Sequence, residues 1–519
     1  MEEKIKQAIE NIAKNLEVHK EYIRFDNTEQ IYIIEDYLDN KIIEIKKDIK
    51  FDNLMDYPLK FSYCNFLETV IGWNKTFKEK IIFKEVVFCK VVNFSFSIFD
   101  KNINFSNVKF EDKLYFEKCQ FKEKFEFFGI NNLKVEFNNS LFEKEVYFGK
   151  EINDKNIEKS NSFGSCSFEY ANFSNCYFKN EVYFKNNEFK QVFFRNSKFN
   201  DNVYFNNSVF KDYTDFHECE FEKTANFYRV RFDKTPNFSQ AIFKGNLNAV
   251  NTNLNFTFDD LQERIKQEYA FYETQRTAKE AGVIPNLYQE KSLDKFANDF
   301  RDSFRIFKNA LIKDNNLLDA SNFHKYELYC KEIELKNKKG KTFKDVVDRW
   351  QLIFYCKLCD HHTDILQSLN SLILVIGIFV ISSVAMVFGF NYSLGYKPIL
   401  EHWYFSLDFY NHHINSIIQD DYLLMIFVNL MILFIYLGLV GFALCLKYMR
   451  EFFIIISYVI TLLVLAVSPK ILIPAMGIFT DKRAMLDPLS VFGGIYTIIF
   501  GFVAFSFIKT IRKNSIVPS

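Results

Sequence analysis

Residues 83–127 read FKEVVFCKVVNFSFSIFDKNINFSNVKFEDKLYFEKCQFKEKFEF, and they set phenylalanine on a fixed beat. The rings fall at Phe83, Phe88, Phe94, Phe99, Phe105, Phe110, Phe116, Phe121 and Phe127, in alternating steps of five and six. A polar stretch near Gly149–Ser162 suspends the beat. It resumes at Phe163, Phe168, Phe173, Phe178, Phe184, Phe189, Phe194 and Phe199, and continues through Phe205, Phe210, Phe216, Phe221, Phe227, Phe232, Phe238 and Phe243. Weaker copies at Phe51, Phe61, Phe66 and Phe77 carry it backward. A period of this kind is one structural unit stacked on itself, and it takes precedence over any single motif.

Two regular geometries fail to hold it. On an α-helix a step of five turns about 140°, so successive rings would point to different faces. The filler of Asn, Val, Ser and Phe also forms helix poorly. In a flat strand a step of five alternates faces. The remaining solution bends the chain once per unit, so that every ring meets one axis: a solenoid. The residue two before each ring supports this. In the first block it is Val86, Val92, Ser97, Ile103, Val108, Leu114 and Cys119. In the second it is Val182, Val192, Ser197, Val203, Ser208, Thr214, Cys219, Ala225 and Val230. Such small or β-branched residues suit an inward slot beside a large ring, while the Lys, Glu, Asp and Asn between them suit a solvated exterior. Cys64, Cys119, Cys166, Cys176 and Cys219 take the same slot and read as buried small hydrophobes.

Ala171-Asn-Phe173-Ser-Asn and Ala225-Asn-Phe227-Tyr-Arg resemble the units of the pentapeptide-repeat family, which run A-(D/N)-(L/F)-x-x. The resemblance covers the region 40–258 and implies a right-handed quadrilateral β-helix with four units per coil. This chain departs from the family in using Phe almost throughout and in adding a sixth residue to about every second unit. With that residue as a bulge, four sides give about 22 residues per coil, and nine coils stacked near 4.8 Å give a rod of order 40 Å. Soluble members of the family imitate DNA with an acidic rod that binds gyrase. Residues 77–243 carry 25 Lys plus Arg against 24 Asp plus Glu, so this surface does not imitate a phosphate backbone.

Composition sets the outer bounds. The 519 residues hold 63 Phe and 28 Tyr but only 16 Gly and 8 Pro, which excludes a disordered or collagen-like chain. Lys plus Arg and Asp plus Glu are both 65, so the whole chain is not a basic nucleic-acid binder, and no nucleic-acid partner is expected. Ten Cys are too dilute for a disulfide framework. Met1-Glu-Glu-Lys-Ile begins without the apolar run of a signal peptide, so the part before the first span is expected in the cytosol.

Ile5, Ile9, Ile12 and Leu16 form one helical stripe, read as an N-terminal helical cap over 1–39. After residue 258 the beat becomes helical, with Leu261, Ile265, Tyr269 and Tyr272, then Phe296, Phe300, Phe304, Phe307 and Leu311, then Phe323, Tyr326, Cys330 and Ile333. This defines a cytoplasmic helical linker over 259–362 that also covers the open end of the solenoid. The stretch from Phe304 to Glu327 resembles the linker joining pentapeptide repeats to membrane segments in some bacterial proteins.

Lys336, Lys338, Lys339, Lys341 and Lys344 make a basic flank ahead of four apolar stretches, Leu369–Phe390, Leu423–Leu446, Phe452–Val467 and Val491–Ile508. The basic residues Lys447, Arg450, Lys509, Arg512 and Lys513 orient a four-helix transmembrane domain over 363–513 with both termini cytoplasmic, in the bacterial inner membrane. Lys470, Lys482 and Arg483 in the loop 468–490 fit this orientation less well.

Two clusters are candidate metal sites. Cys356 and Cys359 with His361 and His362 have a spacing that suits zinc or redox chemistry, and equally suits a juxtamembrane helix with two thiols on its apolar face. Glu401, His402, Asp408, His412 and His413 gather in the loop after the first span without regular ligand spacing. Ser393-Leu-Gly-Tyr-Lys397 is the nearest approach to a potassium filter, but Lys stands where the last Gly belongs. The four stretches hold no Asp, Glu, Lys or Arg, against the usual mark of an ion pathway. No phosphate-binding loop, serine elbow, zinc-protease or dinucleotide signature occurs, so neither enzyme nor cofactor is expected. The expectation is a multidomain β plus α-helical membrane protein: a cytoplasmic scaffold for a protein partner, anchored in a lipid bilayer, with homo-oligomers possible through the spans. The alternative is a channel- or transporter-like protein regulated by its solenoid.

Overall fold

The structure, a computed structural model, describes residues 2–37, 41–149, 165–254, 256–280, 291–393, 422–445, 449–467 and 488–514. It divides into two compact units, Met1–Gly340 and Lys341–Ser519. The expected linker therefore splits, its first three helices belonging with the solenoid.

The first unit is a coil with four sides. Its strands gather into sheets of 11, 11, 8 and 4 strands. The first sheet starts with the antiparallel pair Ile23–Asp26 and Ile31–Ile34, and every later pair in it is parallel. Helix α1 (Glu2–Leu16) thus ends well before residue 39, and the solenoid's sheets begin inside the segment read as helical cap. Phe83 pairs with Phe105 and Phe105 with Phe127, so one coil is 22 residues there. Phe178 pairs with Phe199, a coil of 21.

The register stacks rings into columns. Phe184, Phe205 and Phe227 lie 5.1 and 4.9 Å apart with planes within 4° and 13°. Rings of adjacent columns meet edge to face, as Phe205 and Phe216 do at 5.4 Å and 83°. Both geometries favour the aromatic quadrupole, so each ring gains from neighbours above, below and beside it. The weak early copies obey the same rule, for Phe51, Phe61, Phe66 and Phe77 are fully buried. Gly72 takes a ring position between Phe51 and Phe94, and those two rings close over it at 5.6 Å. A Cβ on Gly72 would stand 2.4 Å from the Phe94 ring.

The corners differ from the expected bulge. In the five-residue steps a turn closes with a left-handed residue, as in Phe194-Arg-Asn196-Ser197, where Ser197 N–H donates to Phe194 O at 3.0 Å and Asn196 has φ 55°. Positive φ at the third position defines a type II turn, which Asn tolerates best after Gly. Glu85, Asn107, Lys118, Asn186, Asn207, Glu218 and Arg229 hold the equivalent place. The six-residue steps make the other two corners without a left-handed residue. Where such a step shortens to five, as from Phe189 to Phe194, the corner vanishes into one long strand, Glu188–Phe193. The sixth residue therefore makes a corner rather than a bulge.

A second ladder explains the small polar slot. Where the slot holds Ser, Cys, Asn or Thr rather than Val or Ala, its side chain donates to a carbonyl of the coil beside it. Cys119 Sγ reaches Phe94 O at 3.1 Å, Ser140 Oγ reaches Phe116 O at 2.6 Å, Cys176 Sγ reaches Phe137 O at 3.0 Å and Cys219 Sγ reaches Phe194 O at 2.9 Å. At the opposite corner Cys166, Asn187, Ser208 and Thr252 do the same. Burial pushes the Cys64, Cys119, Cys166 and Cys176 thiols up to about 12, as expected of unreactive thiols.

Both ends of the rod are covered. Ile12 and Leu16 of α1 are fully buried at the first end, where Asn11 Nδ2 donates to Tyr57 Oη at 2.9 Å. At the other end stand α2 (Phe258–Glu280), α3 (Leu293–Lys313) and α4 (Leu317–Asn337). Phe307 of α3 meets Phe238 edge-on at 4.8 Å and stacks on Phe323 of α4 at 5.2 Å, so the last ring column is sealed by another ring.

The second unit is helical, with α5 (Phe343–Cys359), α6 (Ile365–Ser393), α7 (Tyr422–Cys445), α8 (Met449–Val467) and α9 (Pro488–Asn514). Three helices are long and apolar enough to cross a membrane, over Ile365–Met386, Tyr422–Leu444 and Val491–Arg512. The third expected stretch, Phe452–Val467, falls in α8, which carries Arg450 and Glu451 in its first turn and has 19 residues. Phe379 stacks on Tyr496 at 3.8 Å at the centre of the bundle. Gly377 lets α8 approach α6 closely, for a Cβ there would stand 2.7 Å from Ser457 Cα.

Candidate functional site

The solenoid interior is filled with rings, so the chemistry it can offer lies on its outer faces. There the register that stacks Phe also aligns charges. Lys122 pairs with Asp100 at 2.8 Å, Lys223 with Asp201 at 2.7 Å, Lys234 with Asp212 at 2.8 Å and Lys244 with Glu222 at 2.7 Å, each across one coil step. Each exposed pair adds little to stability in water, but together they give a surface of balanced charge. Asn196 donates to Asn175 at 2.8 Å and Asn207 to Asn186 at 3.1 Å along the two turn edges. Tyr147, Tyr183 and Tyr204 stack on one outer face at 4.7 and 4.9 Å, with Lys185 Nζ 5.4 and 5.1 Å from the latter two rings. Nearer the first end, Tyr63, Trp73 and Phe96 stand exposed at the edges.

A buried charge network joins α2 to the solenoid, and the sequence reading missed it. Asp215 is fully buried and its carboxylate holds Arg195. Tyr213 Oη donates to Glu268 Oε1 at 2.6 Å, Arg264 reaches the same oxygen at 2.8 Å, and the Arg264 guanidinium lies 4.0 Å from the Tyr213 ring centre. Arg264 Nε also donates to Thr235 O at 3.3 Å. Burial, then the charges of Asp215 and Glu268, push the Tyr213 phenol well up, so it stays a donor. A signal existed: Arg264 and Glu268 fall at helical spacing among Leu261 and Ile265, which puts charge inside an apolar stripe. Buried paired charge costs desolvation and demands one geometry, so this network fixes how α2 sits on the coil.

The expected metal candidates behave differently from one another. Cys359 Sγ and His362 Nδ1 stand 3.4 Å apart, and His362 Nδ1 lies 3.1 Å from Thr510 Oγ1 of α9. His361 is buried, and Cys356 is half-buried at the α5 end, where its carbonyl accepts from Gln367 Nε2 at 2.8 Å. Asp360, His361 and His362 all take positive φ, making a tight left-handed link from α5 to α6. Among the described residues no group of three or more His, Cys, Asp or Glu is placed to hold a metal ion. Glu401, His402, Asp408, His412 and His413, and the residues 394–397 of the filter-like stretch, lie outside the described residues.

A four-sided coil of 21 or 22 residues, one inward ring per side and a type II turn at alternate corners is the geometry that a pentapeptide unit builds. Residues 173–220 and 205–248 match the family of pentapeptide repeats (9 copies). This part of the chain is a pentapeptide-repeat solenoid. The same register and ring columns are present back at Phe61 and Phe66, so the four-sided coil extends beyond the matched residues. No curated protein and no solved structure matches the chain.

Proposed function

We propose that this protein is a membrane-anchored scaffold: its pentapeptide-repeat solenoid, right-handed as the family resemblance implies, presents a rigid cytoplasmic face to a protein partner. One observation carries the reading. The coil interior is solid with stacked rings, so the rod has only its outside to offer, and that outside is a regular array of paired charges, Asn ladders and stacked Tyr. Such a surface suits a polar, shape-complementary partner more than nucleic acid, which needs excess positive charge. The spans α6, α7, α8 and α9 anchor it in the bacterial inner membrane with both termini in the cytosol, Arg450, Lys509 and Arg512 marking the inner face. The protein has no enzymatic role.

Cross-linking in cells, followed by mass spectrometry and pull-down with the full chain, tests this. A single stoichiometric cytosolic partner linked to residues of the Tyr147–Tyr183–Tyr204 face or the Asn edges is the expected result. Ion flux through the purified protein in liposomes would overturn the pure scaffold.

A further inference from the structure

Helix α5 turns its apolar side outward. Phe343 is 85% exposed, Trp350 65% and Val347 47%, and Val346 and Phe354 are exposed with them. These five residues follow spacings of three and four and so share one stripe. Polar groups serve other ends: Thr342 and Asp345 form a capping box at the α5 N-terminus. Between Lys336 and Lys357 seven Lys and Arg face only two Asp. An exposed apolar stripe with a strongly basic surround is the pattern of a helix lying in a membrane interface.

The far end of α5 is tied to the spans at a definite depth. Phe354 lies 5.8 Å and Tyr355 6.0 Å from the Phe502 ring of α9. Arg450, at the start of α8, donates to Lys357 O at 3.2 Å and to Ser371 Oγ at 3.3 Å. Arginine at a span end sits among headgroups, so this contact sets α5 at headgroup level.

We propose that α5 lies in the headgroup layer of an anionic leaflet, with Phe343, Val346, Val347, Trp350 and Phe354 in the acyl boundary and Lys338, Lys339, Lys341, Lys344 and Arg349 on lipid phosphates. This rests on the reading of α6, α7, α8 and α9 as membrane helices. Juxtamembrane polybasic segments bind anionic lipid at about 1 kcal/mol per basic residue, and the stripe adds apolar area.

The test uses the full chain carrying Trp73→Phe and Trp403→Phe, which leaves Trp350 as its only tryptophan. It is reconstituted into phosphatidylcholine vesicles with or without phosphatidylglycerol, with bromine placed high on the acyl chains. The expected result is quenching of Trp350 by about twofold or more, deeper with phosphatidylglycerol, and loss of that lipid preference in Lys338→Glu, Lys339→Glu, Lys341→Glu. Unquenched Trp350 in a chain that has inserted overturns this proposal alone. So does Trp350 shielded from both lipid and a water-soluble quencher, since a second copy or another protein then covers the stripe. Quenching that ignores lipid charge overturns the phosphate contacts. A chain that fails to insert, floating free of the vesicles, overturns the membrane reading with it.

Discussion

Phenylalanine fills the axis of the solenoid, whereas the helical unit leaves many of its large apolar side chains on the outside. In the solenoid Phe194 and Phe205 are fully buried, each stacked in a column. In the helical unit Phe434 and Phe505 are each 67% exposed, and Ile498 is 75% exposed. The side chain is the same and the solvent differs. Water drives rings to the only dry place a narrow coil has, its axis. Acyl chains give no such drive, so the spans spend their interior on close contact and leave large apolar groups outside. The contrast is sharpest in single-residue changes.

Phe205→Ala should have the largest effect. It removes a ring stacked on both Phe184 and Phe227 and edge-on to Phe216, leaving a hole that a register-locked coil cannot close. A loss of about 3–5 kcal/mol is expected, read by chemical denaturation of the full chain in detergent with hydrogen exchange locating the opened coils. Phe434→Ala, on the outer side of α7, should shift stability by well under that. Equal losses at the two positions would erase the contrast between the units.

Gly377→Val breaks the other side of the comparison. A Cβ there meets Ser457 backbone at 2.7 Å, so α8 must move away from α6, at about 1–3 kcal/mol. Gly389→Val, on the same helix, has nothing within 4 Å of its Cβ and should be silent. The midpoint of thermal unfolding in detergent, measured for both variants, separates them.

The sequence exposed some of this and hid the rest for physical reasons. The ring columns were legible because a step near five, with small residues two before each ring, leaves one geometry. The turn position was not. Asn favours the left-handed region, but Glu85, Phe96, Lys118 and Arg229 occupy it too, so composition does not mark which step carries the turn. The Ser and Cys of the inward slot were legible as small, but their role as donors appears only once the adjacent coil supplies a carbonyl. Arg264 and Glu268 needed their partners Tyr213 and Asp215, some fifty residues away, before they became a network. The Cys359–His362 contact was legible as a spacing, while Thr510 as the third member was not.

Ser208→Ala tests the donor ladder. Ser208 Oγ donates to Phe184 O at 2.5 Å and accepts from Asn187 N–H at 3.1 Å. Removing it leaves a buried N–H without its acceptor, at about 1–3 kcal/mol. Ser208→Cys keeps a donor, as Cys119, Cys176 and Cys219 do in the other corner, and should recover most of the loss. Denaturation midpoints for the pair decide whether the slot needs a donor or only a small volume.

The smallest expected effect lies at the turns. Asn196 and Glu218 follow one another along the same edge, with φ 55° and 57°. Their backbones are alike, but Asn accepts the left-handed region at little penalty, whereas a longer side chain pays about 1 kcal/mol of steric strain there. Glu218→Asn should therefore stabilise the coil by up to about 1 kcal/mol, and Asn196→Glu should destabilise it by a similar amount plus the lost bond to Asn175. If the two substitutions instead moved the denaturation midpoint in the same direction, edge side chains rather than backbone strain would govern the corner. That outcome would place the stability of the turns in the outer ladders, on the surface, while the rings held only the axis.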